Sequence, residues 1–370
     1  MRPAANPYRW DVVDPGLFYG RREVAAYLVE RLVAGDRFAV AGGRRMGKTT
    51  LLRKLEADLN DIERTGGLVV LPIVVDASEL LEASVEAAYR LLTRRVGRAA
   101  RDAELPSGEE EATSGPAFAD ALLALVRAAR ALGRLQLVFL FDEIERVLAT
   151  DWGGGFLAHW RMLLNNMGEL SRSVSAVFCG ARGVYRIAQD AGSPLGNILA
   201  WLELELFSYA ETARLVREPS RHPWPEALVE RVYDASGGHP CLVQYLMRRV
   251  CDRDADRWPD TLAEAERSFL REHSMVFESW WQSFDEPARA IYAELAGGTA
   301  VSEGELIARF SGDGKRALDV LAHTGVVRWD RSARTVQAAG ALFGAWARDG
   351  GLLGRHGGSM AADDQNADGP

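Results

Sequence analysis

The stretch AGGRRMGKTTLL, residues 41–52, constrains the fold more than any other part of the sequence. Its glycines, lysine and threonine have the spacing G-x-x-x-x-G-K-T, which in phosphate-binding loops joins a buried strand to the N-terminus of a helix. Both flanking elements are present. An apolar run of strand length ends at Ala41, and leucines at helical spacing follow Lys48. This pattern disfavours the alternative, a surface turn before an ordinary helix.

The residue types in the loop each suit phosphate binding. Gly42 and Gly47 allow the backbone to turn and to approach a ligand closely. Lys48 can reach the outer phosphates of a nucleotide, and the Thr49 hydroxyl can ligate Mg²⁺. We therefore predict that the loop binds ATP or ADP together with Mg²⁺. The predicted binding residues are Gly42, Gly43, Arg44, Arg45, Met46, Gly47, Lys48, Thr49 and Thr50. No individual role follows from the sequence for Arg44 or Arg45.

Apolar runs of strand length recur through the first 207 residues and alternate with helical patterns. The runs cover residues 38–41, 68–75, 135–141 and 174–179, with a weaker one at 200–207. Continuous apolarity is typical of strands that are buried on both faces of a parallel sheet. The pattern predicts an α/β P-loop NTPase fold, in which helices flank a parallel sheet. The acidic segment 102–115 is predicted to be a mobile loop.

The strand signal ends after Phe207, and helical patterns follow at 209–217, 225–235, 240–252 and 262–275. Three further helices and two short strands then predict a winged helix. An aromatic cluster at Phe277, Trp280, Trp281 and Phe284 is assigned to its core. We predict a P-loop NTPase domain at 1–207, a helical lid at 208–275, a winged helix at 276–348 and a disordered tail at 349–370.

The strand LQLVFLFDEIE, residues 135–145, ends in acidic residues. In open α/β sheets, ligands bind at the carboxyl ends of the strands, so Asp142 is predicted beside the loop, where it would hold the Mg²⁺ of Thr49 through water. Glu143 would orient or deprotonate the attacking water. The alternative is that both acids only cap and begin the next helix.

Charge and composition exclude several other classes of protein. The formal net charge is −8 and the pI is about 5.5, which argues against a protein that mainly coats nucleic acid. The three cysteines lack a C-x-x-C pair, and the six histidines show no metal-ligand spacing. The sequence contains neither an apolar stretch of membrane-spanning length nor a signal-peptide core, so we expect a cytoplasmic protein without membrane association.

With these motifs in place, the chain resembles the AAA-like branch of the STAND NTPases, close to its bacterial and archaeal ATP-binding members, and more distantly the origin-recognition ATPases. The resemblance covers residues 6–348. Besides the two Walker motifs, it is carried by NPYRW…GLFYGRREV (6–24), VFCGARGVYRI (177–187) and SGGHPCLVQYL (236–246). The usual polar residue of the sensor strand is absent at Cys179 and Gly180.

The resemblance implies roles for further residues. Gly20 and Arg21 would approach the adenine, and Pro240 would pack on the base. Arg182 would sense the γ-phosphate and assist catalysis, together with Lys48 and Glu143. The resemblance also implies a slow ATPase that acts as a molecular switch on a separate effector or sensor protein, in a bacterial conflict or signalling system. Nucleotide-dependent homo-oligomers are a further expectation.

An alternative function is a DNA-associated loader or transposition regulator that contacts DNA through the winged helix. Residues 276–348 contain eight basic and nine acidic side chains, a net charge of −1. A dedicated DNA-binding domain is expected to carry a basic stripe, so DNA is the less favoured partner. The candidate contacts are Lys315, Arg316, Arg328, Arg331 and Arg334. A third interpretation, a scaffold that binds nucleotide without hydrolysis, is disfavoured by the Asp142–Glu143 pair.

Overall fold

The computed structural model describes residues 6–62, 67–80, 84–106, 108, 111–181, 183–188 and 192–353, which fall into two compact units. The first, here called the sheet unit, is Val12–Leu204. The second, here called the helical unit, consists of residues 6–11 and 205–353 within the described part. No helix among the described residues is long and apolar enough to cross a membrane.

The sheet unit is built on five parallel strands in the order β2-β3-β4-β1-β5. Their bounds are β1 Arg37–Ala41, β2 Leu68–Asp76, β3 Arg134–Asp142, β4 Val174–Gly180 and β5 Ala200–Glu203. The predicted parallel sheet with flanking helices is thus confirmed. The last strand is shorter than predicted, because Phe207 donates its N–H to the Gly238 carbonyl at 2.9 Å instead of continuing a ladder.

Helices cover both faces of this sheet. They are α1 Arg22–Val33, α2 Lys48–Asn60, α3 Val85–Asp102, α4 Gly115–Ala128, α5 Gly153–Asn165, α6 Glu169–Ser173 and α7 Gly183–Ala188. Alternate residues of β3 enter opposite cores: Phe139 and Phe141 pack with Trp160, whereas Val138 and Leu140 pack with the leucines of α1 and α2. Burial on both faces explains why the strand reads as one continuous apolar run.

The predicted mobile loop at 102–115 corresponds to the connection between α3 and α4. Ser107, Glu109 and Glu110 lie outside the described residues. The mobility of this connection stays a prediction.

The helical unit contains nine helices and a small antiparallel sheet in its described part. The helices are α8 Tyr209–Arg217, α9 Glu226–Ser236, α10 Pro240–Cys251, α11 Trp258–Glu272, α12 Ser274–Gln282, α13 Glu286–Leu295, α14 Glu303–Arg309, α15 Gly314–Thr324 and α16 Ala341–Asp349. The strands β6 Val301–Ser302, β7 Val327–Asp330 and β8 Thr335–Ala338 are ordered β6-β8-β7. Tyr8, from residues 6–11, is fully buried in this unit and donates its hydroxyl to the Val216 carbonyl.

One predicted helix differs from the structure. The helix predicted at 262–275 begins earlier, at Trp258, because Pro259 is tolerated in the first helical turn. It also ends earlier, at Glu272, and Met275 belongs to α12.

The predicted aromatic core is confirmed, since Phe277, Trp280, Trp281 and Phe284 are all buried, and the rings of Phe277 and Phe343 lie 5.2 Å apart. The division of this unit into a lid and a winged helix stays a prediction, as does the tail at 349–370, of which residues 354–370 are not described.

Candidate nucleotide-binding site

The loop between β1 and α2 has a backbone suited to an anion. Arg45 and Gly47 both adopt left-handed conformations, with φ of 61° and 86°. Turns of this kind form concavities lined by backbone N–H groups, which bind anions. Gly47 is also the N-cap of α2, and no side chain caps the helix there. The first N–H groups of α2 therefore remain available, and the helix dipole favours negative charge at this end.

Lys48, the first residue of α2, contacts the loop through its ammonium. Its ammonium donates to the carbonyls of Gly42 and Gly43, at 2.8 Å each. A side chain at Gly42 would be tightly packed, because a Cβ there would lie 3.1 Å from Leu204 Cβ and 3.4 Å from Lys48 Cγ. The ammonium thus lies over the loop, bonded to carbonyls that it can exchange for phosphate oxygens.

Asp142, at the end of β3, reaches the loop. Its Oδ2 accepts from the Thr49 hydroxyl at 2.6 Å, and its Oδ1 accepts the N–H of Glu143 at 3.0 Å. Asp142 is only 7% exposed, and this burial raises its pKa even though both hydrogen bonds and the Lys48 charge act to lower it. A buried carboxylate of this kind gains from a nearby cation.

Glu143 follows Asp142 with a strained backbone. Its φ of 50° and ψ of 35° lie in the left-handed region, which costs a residue with a side chain about 1 kcal/mol. Its carboxylate forms an ion pair with Arg146, and both side chains are about half exposed. Glu143 makes no capping hydrogen bond to the short 3-10 helix Ile144–Ala149. The capping role considered from the sequence therefore does not account for its position.

Arg21 contacts the loop between β1 and α2. Its guanidinium is buried and donates to the carbonyl of Met46, which is also buried. Gly20 precedes it in a left-handed conformation, with φ of 93°. Arg21 thus contacts the loop, which the sequence did not predict, and the approach of Gly20 and Arg21 to adenine stays a prediction.

The other predicted site residues differ in exposure and in position. Arg44 and Arg45 are exposed, and Thr50 is half-buried on the first turn of α2. Arg182 lies outside the described residues. Pro240 begins α10 in the helical unit, so its contact with a base stays a prediction.

Two features near the end of β4 were not predicted as part of the site. The Cys179 thiol is fully buried, and burial together with the Asp142 charge raises its pKa well above the usual range. The carboxylate of Glu145 accepts the N–H of Ala181 at 2.7 Å. The signal for Glu145 was present in the sequence as a third acid after the strand, in FDEIE.

In the helical unit, the turn before Pro240 is packed backbone against backbone. A Cβ on Gly238 would lie 2.1 Å from the Phe207 carbonyl oxygen, and one on Gly237 would lie 2.5 Å from the Gly340 nitrogen. Both glycines also have positive φ. Packing within this unit therefore accounts for the glycines of the GGHP element.

Arg328, a candidate DNA contact on β7, is engaged within the helical unit. Its guanidinium donates to the Gly237 carbonyl at 2.9 Å and to the Phe207 carbonyl at 3.3 Å. It also lies 5.2 Å from the ring centroid of Tyr233. The side chain thus joins β7 to the turn after α9 instead of extending into solvent.

Three of the other candidate cations also have partners in this unit. Arg316 pairs with Asp285 at 2.7 Å, Arg331 lies 4.9 Å from the Trp329 ring centroid, and Arg334 is 3.8 Å from Glu303. Lys315 is exposed and has no ion pair among the described residues. Arg328 is therefore held within the unit, whereas Arg316, Arg331 and Arg334 keep exposed side chains beside their neighbours.

The fold and the loop together define a class: the sheet unit has the AAA-like fold of the P-loop ATPases. The chain is similar to the Walker-type ATPase PABY2304 of Pyrococcus abyssi, with a TM-score of 0.62 and 16% identity, over 94% of this chain and 99% of that one. It is also similar to the ORC2 protein of Aeropyrum pernix in its ADPNP-ADP complexes, with a TM-score of 0.57 and 15% identity, over 95% and 97% of the two chains. No protein-family model and no curated protein sequence matches the chain. At these identities the likeness establishes the fold, and it confirms the predicted resemblance to origin-recognition ATPases at that level.

Proposed function

We propose that this protein binds ATP and ADP at the loop of residues 42–50 and hydrolyses ATP slowly with Mg²⁺. The observation that carries the proposal is the meeting of Lys48, Thr49 and Asp142 at the uncapped N-terminus of α2. An ammonium, a hydroxyl, a carboxylate and free backbone N–H groups are the donor and acceptor types that a nucleotide phosphate with its cation requires.

The residues present fit Mg²⁺. Thr49 and Asp142 supply oxygen ligands 2.6 Å apart, and the described residues contain no group of three or more His, Cys, Asp or Glu side chains that would form a closed metal cage. Mg²⁺ usually takes one or two protein oxygens and completes its shell with water and phosphate oxygens. When bound, the ion neutralises charge on the β- and γ-phosphate oxygens.

The chain's own residues have separate roles in binding and hydrolysis. Lys48 leaves the loop carbonyls for the outer phosphates, and the N–H groups of the loop and of α2 hold the phosphate oxygens. Glu143 takes the proton from the water that attacks the γ-phosphorus. The half-exposed Glu143 carboxylate must first leave Arg146, which costs little because surface ion pairs contribute about 0–1 kcal/mol. Arg182 senses the γ-phosphate.

The binding proposal is tested with two lysines of the same helix. Lys48→Ala should weaken Mg-ATP binding by about 100-fold or more, as expected for loss of a desolvated charge contact. Lys54→Ala is the matched control, because Lys54 lies six residues after Lys48 on α2 and pairs with Asp58 of the same helix at 2.6 Å. The affinity of this variant for Mg-ATP should remain within about twofold of the wild type, since the lost pair lies within α2 and not at the loop.

Binding is measured by titration with a fluorescent ATP analogue, with far-UV circular dichroism and thermal melts for each variant. Undiminished affinity in a folded Lys48→Ala variant would refute the assignment of the loop.

We further propose that ATP binding and hydrolysis operate a switch of the STAND type, which acts on a separate effector or sensor protein. Support comes from the net charge of −1 over residues 276–348 and from Arg328, a half-buried candidate DNA contact that is bonded within the helical unit. Non-specific DNA affinity depends on free cations that can neutralise phosphates. The switch should change protease sensitivity near residues 267–283, where His273 separates α11 from α12, between the ATP and ADP states.

The DNA-associated function is the second candidate, and the exposed Lys315 at the start of α15 is the observation in its favour. Fluorescence anisotropy with labelled duplex DNA at two salt concentrations separates the two candidates. We expect weak binding at physiological salt and little change on replacing Lys315 and Arg316 by alanine. Tight binding that the double variant loses, without nucleotide-dependent proteolysis, would favour the DNA function.

A further inference from the structure

Glu145 connects two parts of the sheet unit that the sequence separates. It lies in the short 3-10 helix Ile144–Ala149 after β3, and its Oε1 accepts the N–H of Ala181, the first residue after β4. Its Oε2 is buried and has no hydrogen-bond partner among the residues that the structure describes. A buried carboxylate oxygen without a donor costs about 1–3 kcal/mol, so its persistence calls for an explanation.

Two glycines form a slot around this side chain. A Cβ on Gly180 would lie 1.8 Å from Glu145 Oε2, and a Cβ on Gly183 would lie 2.2 Å from Glu145 Cβ. Neither glycine has a positive φ, so backbone conformation does not explain the choice of residue. The space that a side chain would fill is occupied by Glu145, and the slot therefore holds the carboxylate in one place.

The slot adjoins the strained turn that carries Glu143. A left-handed residue other than glycine persists only where the surrounding structure holds it. Within this turn, the Arg146 N–H donates to the Glu143 carbonyl at 2.9 Å. The carboxylate of Glu145, two residues after Glu143, supplies an anchor to the next strand of the sheet through Ala181.

We propose that Glu145 is a positioning residue, which aims Glu143 by anchoring the turn after β3 to the end of β4. This inference rests on the proposed ATP hydrolysis. The carboxylate of Glu145 bonds to Ala181 and not to the loop, so it sets the rate of hydrolysis more than the affinity for ATP. The anchor depends on an acceptor oxygen at Oε1, and glutamine keeps such an oxygen.

The test compares three variants of the full chain with a matched control. Glu145→Ala removes the acceptor, Glu145→Asp retracts it, and Glu145→Gln keeps it without the charge. Glu169→Ala is the control, because Glu169 is a carboxylate of the same unit whose partners are the exposed Arg127 and Arg130. The first measurement is hydrogen exchange at the Ala181 amide in nucleotide-free protein.

Loss of a hydrogen bond to a charged group should speed exchange at Ala181 by about tenfold or more in the alanine and aspartate variants. The second measurement is ATP hydrolysis with Mg-ATP affinity. We expect kcat to fall by about tenfold or more in these variants, with Kd within about threefold of the wild type, since a misplaced catalytic group affects rate more than binding. Glu145→Gln should restore both exchange protection and rate, and Glu169→Ala should match the wild type.

The two measurements separate failure of this inference from failure of the proposed function. Unchanged exchange at Ala181 overturns the anchor whether or not the protein hydrolyses ATP. Faster exchange with an unchanged kcat overturns the role in positioning Glu143. If wild-type protein hydrolyses no ATP, the proposed function fails while the exchange result still decides the anchor. If Glu145→Ala does not fold, the aspartate and glutamine variants decide the same questions.

Discussion

Replacing Arg328 by alanine should destabilise the helical unit by about 2–3 kcal/mol. A hydrogen bond from a charged group contributes about 1.5–3 kcal/mol, and the bond to the Gly237 carbonyl at 2.9 Å qualifies for that range. The bond to the Phe207 carbonyl is long, at 3.3 Å, and adds little. The contact with the Tyr233 ring adds about 0.5–1 kcal/mol at a partly exposed site. Because the side chain is half-buried, we take the lower part of the combined range.

The assay is urea denaturation followed by far-UV circular dichroism and tryptophan fluorescence. Arg331→Ala is the matched control, since Arg331 lies in the turn after β7, is exposed, and lies 4.9 Å from the Trp329 ring centroid, so its loss should cost at most about 1 kcal/mol. If Arg328→Ala unfolds at the same urea concentration as the wild type and instead loses affinity for duplex DNA, the contacts in the structure do not hold in solution, and Arg328 belongs to a DNA surface.

Two further predictions concern the sheet unit. Asp142→Asn should abolish Mg-dependent nucleotide binding while leaving the nucleotide-free protein as stable as the wild type or more stable at neutral pH, because burial raises the pKa of Asp142 and so penalises its charged form. That penalty is present above the folded-state pKa and disappears as the pH falls below the ordinary pKa of aspartate, so thermal melts of the two proteins should converge on acidification; a variant that melts well below the wild type at neutral pH would contradict this. Trp160→Ala should cost about 3–5 kcal/mol in urea denaturation, because Trp160 is fully buried with its ring 4.8 Å from that of Phe139. A loss below about 1 kcal/mol would show that the core relaxes around the cavity.

Much of the fold was predictable because its signals are local. A strand such as β3 is buried on both faces, so its apolar run can be read without knowing its neighbours. The loop between β1 and α2 has fixed spacing, and it correctly indicated a strand before it and a helix after it. The start of α11 at Trp258 was missed because the helix was predicted to begin at Leu262, after Pro259.

The parts of the site that sequence analysis missed depend on contacts between distant segments. Arg21 was predicted to approach the adenine, but nothing local indicates that its guanidinium binds the Met46 carbonyl, 25 residues away. Glu145 meets Ala181 across 36 residues, and its slot requires Gly180 as well. Arg328 reads as a free cation on a wing until the fold brings the Gly237 carbonyl to it. Such contacts follow from topology, which the local pattern does not contain.

Glu143 is the proposed general base of ATP hydrolysis at this site. The most direct measurement is Mg-dependent ATP hydrolysis by wild-type protein and by Glu143→Gln, with Mg-ATP affinity determined for both. We predict slow hydrolysis by the wild type, and a variant that binds Mg-ATP with similar affinity but hydrolyses it about 100-fold more slowly, as loss of a general base implies. Equal rates of hydrolysis in the two proteins would show that Glu143 is an acid of the turn without a role in the chemistry.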